Sequence, residues 1–390
     1  MRFAQGFDNL SLTLTKERPP RASRAAGEVS LNFTAPDEFR AGREDRPSDL
    51  SRTLSLDKER EPQAAIDGGA VSPAKPAGAA RAIRVGFIVG PTGVGKSAVA
   101  MALAKRLSAE IVNADSRQVY RGMDIGTAKP DAADRRRIPH HLLDIRAIDE
   151  PLDVAEFLKL ARAAIAEIAA RGRNVMVVGG SGFYLRVLRG GIFAGPAAAP
   201  ELRRELEALA AEHGVEYLHA RLAEVDAPSA ERIGHRDLYR IVRALEVFRL
   251  TGHPISAHQQ KHRFAAREYE TLTVGLAMER KRLYESINRR FDEMVARGLV
   301  DEVRALLEGG CDPGKAPLKT VGYRQIAAAV GGEMTLAEAI ELAKRDTRRL
   351  AKRQLTWFRA DPEIVWVDAE RGLQEVLELL GAFFAREQAL

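Results

Sequence analysis

The chain has 390 residues, 45% of them hydrophobic, and its 60 basic and 54 acidic side chains leave a formal charge of +6. No apolar run approaches the roughly 18 residues that a membrane-spanning helix needs, so a membrane span is not expected. The single cysteine, Cys311, rules out an internal disulfide and a cysteine-cluster metal site, and it fits a reducing compartment such as the cytoplasm.

Residues 1–80 mix Pro, Gly, Ala, Ser and charge without a sustained period and read as a disordered extension. Their basic and acidic residues balance, so the whole positive excess falls in residues 81–390. The start has no continuous apolar core, and a signal peptide is not expected.

From Arg84 the pattern becomes regular. "RVGFIV" reads as a buried strand, and "KSAVAMALAKRL" has helical periodicity directly after a Gly-rich turn. "AEIVNA" gives a second strand, "VAEFLKLARAAIAEIAARG" a helix, and "NVMVV" a third strand ending at Gly179 and Gly180. Alternating strands and helices predict an α/β fold: a P-loop NTPase-like parallel sheet with helices on both faces. Residues 81–196 form the first part of this core. Residues 197–268 are helical and charged, and they read as an inserted all-helical domain. Residues 269–385 complete the core, beginning with the strand "TLTVGLA". A helix striped by Leu283, Ile287, Phe291 and Met294 follows. A long helix opens with Thr335 and Glu338 at capping-box spacing, and "EIVWVD" reads as one more strand.

"GPTGVGKS", residues 90–97, fits the pattern of a phosphate cradle between a strand and a helix. Gly90, Pro91, Thr92, Gly93, Val94 and Gly95 would offer backbone N–H groups to phosphate oxygens. Lys96 would neutralise the terminal phosphate, and Ser97 would give its hydroxyl to a bound Mg²⁺. NTP hydrolysis calls for an acidic metal partner at the end of a neighbouring strand, but "NVMVVGGSG" has none. The acid stands instead in "NADSRQVY", as Asp115. That position suits a group that orients an acceptor and takes its proton, although a helix-capping role would also explain it.

"VNADSRQVYRGMDIGTAKP", "PHHLLDI", "VVGGSGFYLRVLRG", "YRIVRALEVFRLTG", "VGYRQI" and "AKRQLTWFR" follow in order after the start of the core. Together they resemble the tRNA dimethylallyltransferase (tRNA isopentenyltransferase) family over roughly residues 84–380. The resemblance implies transfer of a dimethylallyl group from dimethylallyl diphosphate to the exocyclic N6 amine of an adenine. That adenine lies immediately 3′ of the anticodon in tRNAs reading codons that begin with U. Pyrophosphate leaves, Mg²⁺ is the cofactor, and the cradle holds the prenyl diphosphate rather than ATP.

Matched residue by residue, Asp115 becomes the proton acceptor, Lys96 and Arg243 stabilise the leaving group, and Thr92 helps hold the arrangement. Asp115, Ser116, Arg117 and Gln118 match contacts to the target adenine and its neighbours. Ser181 stands where the family commonly has Thr, keeping the hydroxyl and losing a methyl. Arg203 and the run Tyr239, Arg240, Ile241, Val242 and Arg243 match further RNA-site positions. So does the run Leu318, Lys319, Thr320, Val321, Gly322 and Tyr323.

The partner implied is a tRNA anticodon stem-loop, clamped by the insertion. Its basic loop Lys261, His262 and Arg263 fits that role, as does the basic face of Lys344, Arg345, Arg348, Arg349, Lys352 and Arg353 on the long helix. Trp357 and Phe358 read as core, and His140 and His141 as structural or pocket-lining. A monomer without an obligate protein partner is expected. Two other readings use the same motifs: a P-loop kinase of a nucleoside or small metabolite, and a non-catalytic RNA-binding protein with a relic cradle.

Overall fold

The computed structural model describes residues 82–193, 195–262, 267–315 and 317–385. The extension at residues 1–80 and Arg263 lie outside them.

Six parallel strands form one sheet in the order β3-β2-β4-β1-β5-β6: β1 (Arg84–Val89), β2 (Ala109–Asn113), β3 (His140–His141), β4 (Asn174–Gly179), β5 (Glu270–Ala277) and β6 (Ile364–Asp368). The two-residue edge strand β3 was not anticipated. Helices α1 (Lys96–Arg106), α2 (Ala132–Arg137), α3 (Val154–Ala170) and α4 (Gly182–Gly190) fall between or after the first strands. Then come α5 (Pro200–His213), α6 (Val215–Val225), α7 (Ala227–Arg232), α8 (Leu238–Thr251) and α9 (Ile255–His262). After β5 follow α10 (Arg280–Ala296), α11 (Leu299–Glu308), α12 (Tyr323–Val330) and α13 (Leu336–Arg359), and α14 (Leu373–Ala385) follows β6.

Strand alternation assigns the two faces of the sheet. Val85, Phe87 and Val89 of β1 point toward α3 and α4 and pack with Phe157, Ile165 and Leu185. Ile88 points the other way, toward α1, α10 and α14, and joins Leu103, Ile287 and Leu380. Gly86 lies under α14, where a Cβ would stand 2.8 Å from a methyl of Leu380. α14 is therefore seated directly on β1. Neither it nor α11 and α12 was legible as a separate element.

Helices α5 to α9 share a core of their own, with Leu206, Leu218, Leu222, Ile241 and Leu245. This is the inserted helical region. α13, with 24 residues, touches three cores in turn. Ala339 and Ala343 join a cluster with α10 to α12, Ala351 joins the α1/α10/α14 side, and Phe358 joins the α3/α4 side. The expected Thr335–Glu338 capping box opens it, with the Thr335 N–H donating to Glu338 at 2.9 Å.

Candidate active site

Parallel strands deliver their C-terminal ends to one edge of the sheet, and ligands of such sheets bind there. Because β4 lies between β1 and β2, the cradle after β1, the Gly180–Ser181 turn after β4 and Asp115 after β2 stand side by side.

Positive φ angles at Gly90, Gly93 and Gly95 (145°, 85° and 97°) let the cradle turn into α1. Lys96 folds back onto the loop, donating to the carbonyls of Gly90 at 3.0 Å and Pro91 at 2.8 Å. Burial, and secondarily the nearby Arg290 cation, lower its pKa to about 8, and the charge of Asp115 opposes that shift. Ser97 is exposed on the first turn of α1.

Two elements grip the cradle from outside. From α10, Ser286 donates to the Gly93 carbonyl at 2.9 Å, and Arg290 Nη2 donates to the Thr92 hydroxyl at 2.5 Å. From α13, Gln354 accepts the Thr92 N–H at 2.8 Å and donates through Nε2 to the Gly180 carbonyl at 3.0 Å. One side chain thus ties the phosphate loop to the turn that carries Ser181. The sequence reading missed both Arg290 and Gln354. The available signal was position: Arg290 lies seven residues after Leu283 and four before Met294, on the apolar stripe, and Gln354 lies between Ala351 and Phe358 at spacings of three and four.

Asp115 is partly buried, and its carboxylate accepts the Arg117 N–H at 2.8 Å, closing a tight turn. Ser181 has no capping bond at the start of α4; its hydroxyl instead accepts the Ser116 N–H at 3.1 Å. Gln118 spends its amide group on the carbonyls of Thr127 at 2.9 Å and Ala128 at 3.3 Å, so it shapes the loop that follows. That loop is anchored by Lys129, buried on Asp124 and Asp144, and by Glu302, which accepts the N–H groups of Asp124, Ile125 and Gly126.

Tyr323 is fully buried, and its hydroxyl donates to the same Glu302 at 2.5 Å. Burial and then the Glu302 charge push its phenol well above the usual range. Tyr323 and the equally buried Leu318 therefore brace the loop that follows Gln118 from behind, with no side-chain surface to offer RNA. Gly322 is buried too, whereas Lys319 is exposed and Thr320 and Val321 are partly exposed.

The insertion has its own polar hub. Glu246, with no exposed surface, accepts two bonds from Arg203 at 2.8 and 2.9 Å, one from Arg243, and the Ala199 N–H at 2.8 Å. Arg243 also donates to the Pro196 carbonyl at 3.1 Å. Its described bonds thus lie on α8 and on the segment leading into α5, not on the cradle. Tyr239 is 78% exposed and Arg240 is exposed beside it, whereas Ile241 and Val242 are packed in the insertion core. Their side chains hold α8 in place, and the exposed pair presents its surface.

Two further expectations change. Phe358 is core, but Trp357 is 43% exposed and covers Gly182, where a Cβ would lie 2.2 Å from its ring. The basic face of α13 is only partly neutralised. Lys344 pairs with Asp292 and Glu341, Arg345 and Arg349 with Asp346, and Arg348 donates to Asn288. Among the described residues Lys352 and Arg353 carry no ion pair. With Arg186, Arg189, Arg267 and Trp357 they line an open groove of about 930 Å³ between α4 and α13. His140 and His141 are structural: His141 bonds to the buried Glu110 at 2.8 Å, and His140 to the Ile138 carbonyl at 2.8 Å.

An acid at Gly179, the last residue of β4, is sterically barred by backbone, whereas at Gly180 only the end of the Gln354 side chain would have to move. A Cβ on Gly179 would lie 2.2 Å from the Ala114 carbonyl oxygen, and one on Gly180 2.6 Å from Gln354 Nε2.

Sheet, cradle and the aspartate that follows the second strand define an α/β P-loop protein with a carboxylate beside its Gly-rich loop. The family described as IPP transferase matches residues 118–361, and the chain belongs to it. It is similar to the tRNA dimethylallyltransferase of Geobacter metallireducens, with 49% identity over 77% of this chain and 97% of the relative. It is likewise similar to tRNA dimethylallyltransferase 1 of Pelobacter propionicus, with 48% identity over the same shares. Among solved structures it resembles the full-length tRNA isopentenylpyrophosphate transferase of Bacillus halodurans, with a TM-score of 0.58 and 39% identity over 77% of this chain and 96% of that one. A eukaryotic dimethylallyltransferase described as acting on tRNA matches at a TM-score of 0.69, with 25% identity over 79% and 82% of the two chains.

Proposed function

We propose that this protein transfers the dimethylallyl group of dimethylallyl diphosphate to the N6 amine of the adenine 3′ of the anticodon in tRNAs reading U-starting codons. The observation that carries the reading is the placement of Asp115 beside the cradle, while β4 ends on Gly179, where an NTPase acid would have no room. Relatives with nearly half of their residues identical bear that activity in their names.

In this reading the cradle N–H groups and Lys96 hold the diphosphate, and Asp115 orients the amine. The N6 lone pair forms a bond to C1 of the prenyl group as the C1–O bond breaks. That bond's electron pair goes to the diphosphate oxygen, and the N6 proton goes to Asp115. Lys96 turns from the Gly90 and Pro91 carbonyls toward the charge that builds on the leaving group.

Among the described residues no group of three His, Cys, Asp or Glu side chains is placed to hold a metal. A Mg²⁺ fits nonetheless as a passenger of the substrate, because that ion keeps its waters and leans on phosphate oxygens, with the exposed Ser97 hydroxyl as protein ligand. Once bound, it neutralises diphosphate charge.

The base must leave its stack to reach Asp115, so RNA approaches across Ser181, Ser116 and Arg117. Arg203, Tyr239, Arg240 and Arg243 of the insertion and Lys319, Lys352 and Arg353 supply outer contacts to the anticodon stem-loop. Among the described residues no helix is long and apolar enough to cross a membrane. Monomeric, cytoplasmic action on tRNA completes the reading.

The test is incubation with tRNA, Mg²⁺ and either dimethylallyl diphosphate or ATP, followed by mass analysis of the digested nucleosides. Prenylated adenosine that depends on the diphosphate is expected; ATP consumption without it would instead indicate a kinase. Asp115→Ala should lower the transfer rate by about 10²–10⁴-fold and keep pyrophosphate and tRNA binding. A normal rate in that variant removes Asp115 from the chemistry.

A further inference from the structure

We infer that Glu246 is a positioning residue for RNA recognition: it sets the direction in which the Arg203 and Arg243 guanidiniums offer their remaining N–H groups. The inference rests on the tRNA reading and adds to it the buried group that aims the arginines of the insertion.

Glu246 has no exposed surface, and both of its oxygens are fully occupied. Oε1 accepts from Arg203 Nε at 2.8 Å and from the Ala199 N–H at 2.8 Å, and Oε2 accepts from Arg203 Nη2 at 2.9 Å and from Arg243 Nη1. Arg203 therefore meets the carboxylate edge-on through two parallel bonds, which fix its plane as well as its place. Its Nη1 corner then faces away from Glu246. That nitrogen has no partner among the described residues and is not sealed from solvent. Arg243 gives Nη1 to Glu246 and Nη2 to the Pro196 carbonyl, which leaves Nε without a described partner.

Both arginines stay partly exposed, so the hub opens on one side. Tyr239 lies one turn before Arg243 on α8, is exposed, and is close enough for Arg203 to feel it electrostatically. Two cations on one acid leave the hub a net charge of +1. Guanidinium planes, an exposed ring and positive charge together suit phosphates and unstacked bases. Apolar packing would join α5 and α8 at a lower desolvation cost than a buried carboxylate. What the carboxylate adds is direction: it holds long side chains in one pose before RNA arrives.

The alternative is that Glu246 only holds the two helices together. The sign of one effect separates the two. Removing a negative charge beside RNA should, by charge alone, tighten RNA binding, whereas loss of aim should weaken it. The wild type, Glu246→Gln, Arg203→Met, Arg203→Lys and the Gln/Met double variant are titrated with an anticodon stem-loop by fluorescence anisotropy, below the melting temperature of each. A positioning role predicts that E246Q weakens binding about fivefold or more despite its added positive charge, and R203M about tenfold. R203K should lose nearly as much as R203M, since a point charge does not replace an aimed fork. The double variant should fall short of the product of the two single effects. In E246Q the KM for tRNA should rise while kcat holds, and pyrophosphate affinity should be unchanged.

Stability does not decide, because both roles lower the melting temperature of E246Q. An E246Q that binds the stem-loop as well as the wild type, or better, overturns the inference, and so does a double variant that shows the full product. If E246Q does not fold, R203K decides: wild-type RNA affinity in that variant shows that the fork is not used and overturns it as well. A wild type that neither binds the stem-loop nor prenylates tRNA sinks the tRNA reading itself. A prenylating wild type with an indifferent E246Q sinks the Glu246 assignment alone.

Discussion

The insertion and the cradle use the same kind of side chain under opposite electrostatic terms. In the insertion, Arg203 and Arg243 converge on Glu246, a carboxylate with no exposed surface, which also collects the Ala199 N–H. At the cradle, Lys96 and Arg290 stand together and among the described residues share no acid within ion-pair distance. The first arrangement is complete as it stands and holds helices α5 and α8 together. The second leaves both cations without an ion pair among the described residues.

The comparison breaks most visibly at Glu246. Glu246→Ala should lower unfolding stability by about 3 kcal/mol, since it strips two arginines and a backbone N–H of their common acceptor. Urea or thermal unfolding checks this, and a loss below about 0.5 kcal/mol would mean that the hub is not structural. The Glu246 pKa is held below the usual carboxylate range because the bonds from Arg203, Ala199 and Arg243 outweigh its burial. Its contribution is therefore present at neutral pH and fades as pH falls through that lowered value.

The next effect is expected at Gln354, the link between the Thr92 N–H and the Gly180 carbonyl. Gln354→Ala should reduce the transfer rate about tenfold through lost alignment, with little change in tRNA affinity. An unchanged rate in single-turnover assays would show that the two loops hold their relation without it.

The smallest effect is the pH dependence of anion binding. A free-enzyme pKa of about 8 leaves Lys96 mostly charged at neutral pH and mostly neutral above pH 9. An anion selects the charged form, so the advantage of wild type over Lys96→Met in pyrophosphate affinity should shrink as pH rises through 8. Binding at pH 8–9 should also take up a proton, read from the buffer dependence of the calorimetric heat. A constant advantage from pH 7 to 9 contradicts a lowered Lys96.

The sheet was legible where strands are long and apolar: β1, β2, β4, β5 and β6 all stand where alternation or an apolar run placed them. β3 escaped because two residues carry no period, and it is fixed instead by pairing of His140 and His141 with β2. The cradle and Asp115 were readable because their chemistry is local in sequence. Arg290, Gln354 and Glu246 were not, since each has a partner between 43 and 262 positions away. A polar residue on an apolar stripe was the one sign available, and among many arginines and glutamates it did not stand out. Trp357 was misjudged for a related reason: being next to the buried Phe358 puts it about 100° around the helix, on another face.

The glycine pair after β4 has a consequence for what this scaffold can become. Exchanging Gly179 for Asp would set its first side-chain carbon against the backbone of β2, and at Gly180 against the α13 clamp. At Gly179, acquiring the metal ligand of a nucleotide hydrolase would therefore require spreading two neighbouring strands, and at Gly180 it would displace the Gln354 amide. Strand spacing thus holds the last residue of β4 to glycine.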